Sequence, residues 1–502
     1  MINRWIETGR AALFHGLVGR GPVGHGLAAG RPERPAALLD KGGAPTSRKG
    51  RHPGKRGPRR GPAAIAGLTA LLYCLSVGAA SAEGLIRDAE IEATVRAYAE
   101  PLWEAAGLNA PFVQVHLIND DRINAFVAGG QQLFLYTGLL MRSKSANQVI
   151  GVIAHETGHM AGGHLARMQD ELRHRTIESI IAMAAGVGAG VASGNPGVGL
   201  GTVALGQTLT LRGFLQYSRT QEASADQAAL KFLDATHQSS RGLLEFFEIL
   251  QGEMALFGAQ QDPYLSTHPL VPERIEAVQA HVDTSPYSDA KEPPAFDVMH
   301  DRMVAKLVGF LRPLDRVLHD YPTTDNSIPA RYARAIALFR VSRFQESLAI
   351  MDSMLKEAPD DPFFLEQKGQ ILFQSGRIKD ALPFYQKALA LKPKEPLLRQ
   401  ETAQVMIETE DPSYLKEAIA DLEEAVRLEP NEPMNWHFMA VAQGRAGNLP
   451  EASLAQAEEQ LSLGKKKQAK FFANKAMDGL PIGSPSWQRA QDILGVSEND
   501  DD

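Results

Sequence analysis

Cysteine is almost missing from this chain of 502 residues, and its one thiol, Cys74, lies in an apolar run close to the N-terminus. The 420 residues from 83 onward therefore form no disulfide and can hold no metal through sulfur, which leaves histidine and carboxylate as the available metal ligands. A basic surplus is missing as well. Residues 83–502 carry 39 Lys and Arg against 56 Asp and Glu, a balance of -17 that the net charge of -7 for the whole chain conceals. Phosphate recognition needs a clustered basic face, so a nucleic-acid partner is not expected. With 44% hydrophobic and 22% charged residues the chain is neither fibrous nor disordered as a whole, and its length suits several domains.

The basic residues missing from the body are concentrated at the start. Residues 1–62 hold 13 Lys and Arg against Glu7, Glu33 and Asp40, and residues 63–82 hold no charge. The apolar run Ile65 to Val77 followed by Ala80-Ser81-Ala82 has the order of a secretory signal, with cleavage expected after Ala82. A membrane anchor is the rival reading, but the run is shorter than the ~18–20 residues a span needs. The 62-residue head exceeds an ordinary n-region, and a start codon placed too far upstream is one account of it.

Ile91, Val95, Tyr98 and Leu102 follow helical spacing and predict a helix over about 86–106. Phe112 to Ile118 and Gln132 to Tyr136 read as strands separated by turn residues. Ser145-x-x-Gln148 is a capping-box pattern, and the apolar spacing after it predicts a helix to about Met168. From Ser179 to Leu211 there is no charge, yet Asn195-Pro196-Gly197 divides the stretch into halves of roughly 15 residues, each too short to span a bilayer. A helical hairpin that packs on the domain or touches a lipid surface is favoured over a transmembrane hairpin. A further helix is expected over about 218–236, and Ser285-Pro286 to Pro293-Pro294 reads as a linker.

Beyond residue 302 the chain reads as helix with a period. Pro359 and Pro393 are 34 residues apart, and Pro430 follows 37 later, as a three-residue insertion near Asp411-Pro412 would produce. Thirty-four is the tetratricopeptide spacing, and Leu365, Gly369, Leu372, Ala381, Tyr385 and Ala388 occupy its small and large positions. Ala418, Leu422 and Ala425 match the second helix of the next unit, and Trp436, Ala440 and Ala452 begin another. The final unit, about Lys465 to Leu494, is degenerate and reads as a polar cap.

Within the helix capped at Ser145 stands His155-Glu156-Thr157-Gly158-His159. A helix places residues four apart on one face, so both imidazoles can bind one ion with Glu156 beside them. The apolar setting of Val149 to Ala154 argues that these groups are coordinated, since burying them unpaired is costly. A third histidine six residues after His159 is absent, because position 165 is Leu and His164 comes one residue early. A carboxylate is the alternative third ligand. Glu222 and Asp226 share a helical face: Glu222 would ligate, and Asp226 would hydrogen-bond a ligating imidazole.

His155-Glu156-x-x-His159 with Glu222-x-x-x-Asp226, preceded by Asn124-Ala125-Phe126 and Gly129-Gly130, resembles the M48 family of zinc metallopeptidases. The resemblance covers essentially all of 83–494 and leaves the 62-residue head unexplained. It implies one zinc ion per chain on His155, His159 and Glu222, with Glu156 as general base. Asp226 is a proton donor in the family's usual assignment, whereas its spacing one turn from a ligand favours a supporting role. His268, in Thr267-His268-Pro269, is either a fourth ligand that keeps the enzyme latent, as in similar proteases, or an ordinary loop histidine. His164, with Arg167, is read as structural.

The expected fold is mainly α: a zincin-like α+β metalloprotease domain with a small sheet over 83–284, in which the strand Gln132 to Tyr136 is the substrate-pairing edge, a linker over 285–298, an all-α repeat solenoid over 299–494 and an acidic tail over 495–502. Together with the signal pattern and the repeats, the resemblance implies a periplasmic endopeptidase acting on unfolded or stalled outer-membrane proteins. Its repeats would recruit the substrate or the β-barrel assembly machinery, and 179–211 is the candidate for peripheral membrane contact. The rival from another class is a periplasmic assembly chaperone whose metal site is latent.

Overall fold

The computed structural model describes residues 84–128, 130–164, 219–257, 264 and 268–498. The expected signal segment 1–82 and the expected hairpin 179–211 lie outside these residues. Among the described helices none is long and apolar enough to cross a membrane.

The first element is a two-residue strand, β1 (Leu85–Ile86), followed by helix α1 (Ala89–Ala105). Asp88 caps α1 by accepting from the Ile91 N–H at 3.0 Å, a bond that an unpaired helix N-terminus needs. A single sheet follows, from β2 (Gln114–Ile118), β3 (Ala125–Ala128) and β4 (Gln132–Tyr136), in the order β1-β2-β4-β3. β2 and β4 run parallel, and β3 folds back antiparallel to β4. This corrects the expectation that Gln132 to Tyr136 is the edge. β4 is bonded on both sides, and β3, too short and weakly patterned to stand out in sequence, takes the edge. One face of the sheet buries Leu117, Leu133 and Leu135 completely or nearly so, and the other carries the stacked row His116, Phe134 and Phe126.

Helix α2 (Ala146–Gly162) starts at the expected cap. Ser145 accepts from the Gln148 N–H at 3.4 Å, and the Gln148 side chain accepts in return from the Lys144 N–H at 2.8 Å, one residue further out than a standard capping box. The helix ends earlier than expected, because Gly163 adopts a left-handed conformation with φ 60° and closes the last turn. α2 is buried nearly all round and is the central post of the first half. Residues 219–235 form α3, followed by α4 (Arg241–Phe257) and α5 (Pro272–Thr284).

The segment 285–298 is less free than a linker. Helix α6 (Pro294–Leu311) already begins at Pro294, and the Ser288 carbonyl accepts from Ser239 Oγ at 2.6 Å and Arg241 Nε at 3.0 Å. Helix pairs then repeat along the chain, including Pro362–Gln374 with Ile378–Leu391, Pro396–Glu408 with Leu415–Leu428, and Pro433–Arg445 with Leu449–Ser462. The three-residue insertion is a short 3-10 turn, Pro412–Tyr414. Small residues let helices touch as the period implied: Ala381, Ala388, Ala418 and Ala425 are completely buried. The terminal pair, Lys466–Met477 with Pro485–Glu498, closes the stack over an alanine-rich core.

Buried charge joins residues 87–90, at the N-terminal end of α1, to the repeats. Lys306 of α6 is 1% exposed and lies 2.9 Å from Asp88 and 3.4 Å from Glu90. Arg302 pairs with Glu90 at 2.6 Å and Asp361 at 2.5 Å, and Tyr332 donates to Glu90 at 2.8 Å. Arg87 pairs with Glu429 at 2.9 Å and Glu432 at 2.8 Å, while Ala89 packs among Leu365, Ala388, Leu397 and Leu398.

Glu395, half-buried near this junction, has its carboxyl raised to about 7, first by burial and then by Glu92 and Glu429. The folded protein holds a proton there that the unfolded chain releases near pH 4.5, so this group costs stability as pH rises from about 4.5 to 7 and the deficit persists above. Glu395→Gln is expected to match wild type in denaturant midpoint at pH 4 and to exceed it by about 1–2 kcal/mol at pH 8.

Candidate metal centre

Helix α2 brings His155, Glu156 and His159 into the interior, where His155 and Glu156 are completely buried. Their partner is α3, and Gly158 sets how close it comes: a Cβ there would lie 2.6 Å from the Ala225 carbonyl oxygen. Only a residue without a side chain permits that approach. Because Ala225 stands between Glu222 and Asp226, the contact delivers both carboxylates to the histidine pair.

The donor atoms converge. His155 Nε2 and His159 Nε2 are 3.1 Å apart, and Glu222 lies 3.4 Å from the first and 3.2 Å from the second. His268 joins from the segment before α5, its Nδ1 at 3.3 Å from His155 Nε2 and 3.1 Å from Glu222 Oε2. The four residues are the group among the described residues able to hold a metal ion, and all four are buried. Donors about 2.0–2.1 Å from one tetrahedral ion sit roughly 3.3 Å from each other, so these separations fit. Both Glu156 oxygens are buried without a hydrogen-bond partner, which fits a group that acts on something else.

Charge supports the same conclusion. Asp226 Oδ1 is 2.8 Å from His155 Nδ1, and Arg274 donates to Asp226 through Nε at 2.6 Å and Nη2 at 2.9 Å while Nη1 lies 3.0 Å from Glu222. Burial would lift Asp226, but Arg274 and His155 outweigh it and hold the carboxyl at about 2. Burial would likewise lift Glu222, yet His268, His155 and His159 keep it well below the usual carboxylate range. His155 is pushed up to about 9, because Asp226 and Glu222 overcome the burial that opposes its charge. His159, by contrast, is lowered to about 3 by burial, with the neighbouring His155 and His268 adding to it. Two carboxylates against one guanidinium make a site that favours further positive charge. Burial raises Glu156, which suits a base.

His268 is held in place from two sides. Its N–H donates to the Tyr264 carbonyl at 2.6 Å and its ring lies 4.6 Å from the Tyr264 ring, while Arg274 Nη1 donates to the Pro269 carbonyl at 3.0 Å. Two residues of the site carry no clear signal in the sequence. Arg274 stands 48 residues from Asp226, with nothing local to mark it as the counter-charge. His164, read as structural, stands with Nδ1 3.1 Å from His159 Nδ1. Arg167 lies outside the described residues.

Residues 86–282 match the family model described as Peptidase family M48, and residues 332–396 match one described as Tetratricopeptide repeat. Over 388 residues the chain is 25% identical to a putative beta-barrel assembly-enhancing protease of Vibrio cholerae, covering 76% of this chain and 78% of that one. It is 23% identical over 399 residues to the beta-barrel assembly-enhancing protease of Yersinia pestis, covering 76% and 77%. To metalloprotease LoiP of Escherichia coli it is 30% identical over 167 residues, covering 33% and 60%. The chain carries a peptidase family M48 domain followed by tetratricopeptide repeats, and it is a metalloprotease.

Arg274→Met would leave Glu222 and Asp226 buried without their guanidinium. Thermal or denaturant unfolding in chelator should show a loss of about 3–5 kcal/mol, with a smaller loss when metal is present. Arg274→Lys should recover little, since one ammonium cannot span both carboxylates and the Pro269 carbonyl.

Proposed function

We propose that this metalloprotease is an exported zinc endopeptidase that hydrolyses peptide bonds of misassembled or stalled outer-membrane proteins, with its repeats recruiting substrate or the barrel-assembly machinery. The observation that carries the enzymatic part is the convergence of His155, His159 and Glu222 beside a buried Glu156 whose oxygens accept no hydrogen bond, His268 Nε2 standing 3.6 Å away. Export rests on the basic head, the apolar run and Ala80-Ser81-Ala82. The outer-membrane substrate class rests on the names of the relatives.

His155, His159 and Glu222 are the residues assigned to hold zinc. When bound, that ion polarises the scissile carbonyl and lowers the pKa of water toward neutrality. Glu156, made more basic by burial, accepts a proton from the attacking water and returns it to the leaving amine. Asp226 acts by position. Both its oxygens are engaged, by His155 and Arg274, and its depressed pKa leaves no proton to give, which favours a supporting role over that of proton donor. Its bond to His155 Nδ1 fixes the tautomer whose Nε2 faces the site. Among the described residues β3 is an edge strand, and an extended substrate pairing there through its backbone would gain affinity with little sequence preference.

His268 brings a fourth donor to the group, its Nδ1 3.1 Å from Glu222 Oε2, so the described arrangement is read as latent, with His268 in the position that a catalytic water would need. A latent site is also what the chaperone reading expects, in which the repeats perform the main task.

Glu156→Gln is expected to retain one zinc per chain by metal analysis while casein-type cleavage falls by about 10²–10⁴-fold. Loss of its effect in cells supports the enzyme, and an unchanged cellular effect supports the chaperone. His268→Ala is expected to raise basal cleavage several-fold in the same assay, and unchanged or lower activity would remove the latency reading.

A further inference from the structure

We infer that His164 is a positioning residue for His159, fixing the tautomer in which His159 Nε2 faces the metal site, and that Gly162 is the space that admits it. The inference rests on the reading of His155, His159 and Glu222 as metal ligands.

Each of the three has a contact on its far side. His155 Nδ1 meets Asp226 at 2.8 Å, and Glu222 meets Arg274 at 3.0 Å. Among the described residues the partner of His159 Nδ1 is His164 Nδ1, at 3.1 Å, with the rings nearly perpendicular at 83° and His164 4% exposed. Between two imidazole nitrogens at that distance one donates and the other accepts. If Nε2 of His159 is to offer its lone pair to a cation, the proton must sit on its Nδ1. His164 Nδ1 is then the acceptor, and the His164 proton sits on Nε2.

The backbone is shaped to make this contact. Continued helix would put residue 164 about 140° around the axis from residue 159, away from its face. The left-handed turn at Gly163, whose N–H donates to the Met160 carbonyl at 3.1 Å, instead folds the chain back over the end of α2. A Cβ on Gly162 would lie 2.4 Å from His164 Nε2 and 2.8 Å from Cδ2, so the imidazole occupies the space a side chain would fill. The His164 carbonyl accepts from Gln221 Nε2 at 3.4 Å, which ties the turn to the residue beside Glu222.

The chemistry of the pair differs from that of His155. A carboxylate behind a ligating imidazole adds negative charge to the site, whereas an imidazole behind His159 fixes the tautomer without adding any. The site already holds Glu222 and Asp226, and a third anion would weaken the electron-withdrawing power of the bound cation.

The experiment uses the full mature chain and reads zinc affinity by competition with a chromophoric chelator, together with the visible spectrum of the cobalt-substituted protein. His164→Ala is expected to weaken zinc binding by about 10–100-fold and to alter the cobalt bands. His164→Asn, whose Oδ1 takes the place of Nδ1 as acceptor, should recover most of the affinity. Gly162→Ala, which keeps both histidines and displaces the ring, should behave like His164→Ala and serves if that variant does not fold. Unchanged affinity in His164→Ala, or equal loss in His164→Ala and His164→Asn, overturns the positioning role while leaving the metal reading intact. Failure of wild type to bind zinc more tightly than His155→Ala overturns both.

Discussion

Two carboxylates buried one helical turn apart, Glu222 and Asp226, set the requirement that the rest of the first half meets. Neither can be left unpaired in an interior that excludes water, and Arg274 neutralises only one of the two charges. The remainder draws three imidazoles toward Glu222 and makes a cation the natural occupant of the space among them. Helix α2 is buried all round to bring its histidines there, and Gly158 lets α3 come close enough to deliver the acids. The sheet, the capped start of α2 and its abrupt end at Gly163 serve to hold that one helix in register.

What could be read from sequence was whatever repeats at short range. His155, Glu156 and His159 lie within one turn and a half of helix, as do Glu222 and Asp226, so their common faces follow from spacing alone. The 34-residue period exposed the repeats for the same reason, and even the 3-10 turn at Pro412 was visible as a break in it. Partners chosen by tertiary approach were not visible. Arg274 lies 48 residues from Asp226, and nothing local marks it as the counter-charge. His164 is five residues from His159, but its contact depends on a left-handed turn that the helical pattern continues through. The edge role passed from β4 to β3 because four residues, Ala125 to Ala128, give too little alternation to reveal a strand.

The second half is not simply appended. Tetratricopeptide units stack through neighbour contacts, and such arrays are often separable from what precedes them. Here Asp88 and Glu90 reach Lys306, Arg302 and Tyr332, and Arg87 reaches Glu429 and Glu432. The helix that opens the protease half therefore also packs into the repeats, and the polar groups at its start find their counter-charges there.

That arrangement has a consequence for the order in which the molecule can be completed. Helix α1 is the first described helix to be synthesised, yet Glu90 in its first turn accepts a hydrogen bond from Tyr332, 242 residues later, and Arg87 just before it pairs with Glu432, 345 residues later. Contacts of such long sequence separation form late, after the intervening chain has been made and gathered. The segment from Arg87 to Glu92 must therefore wait, solvated by its own Arg87, Asp88, Glu90 and Glu92, until the repeats that hold its partners have been made.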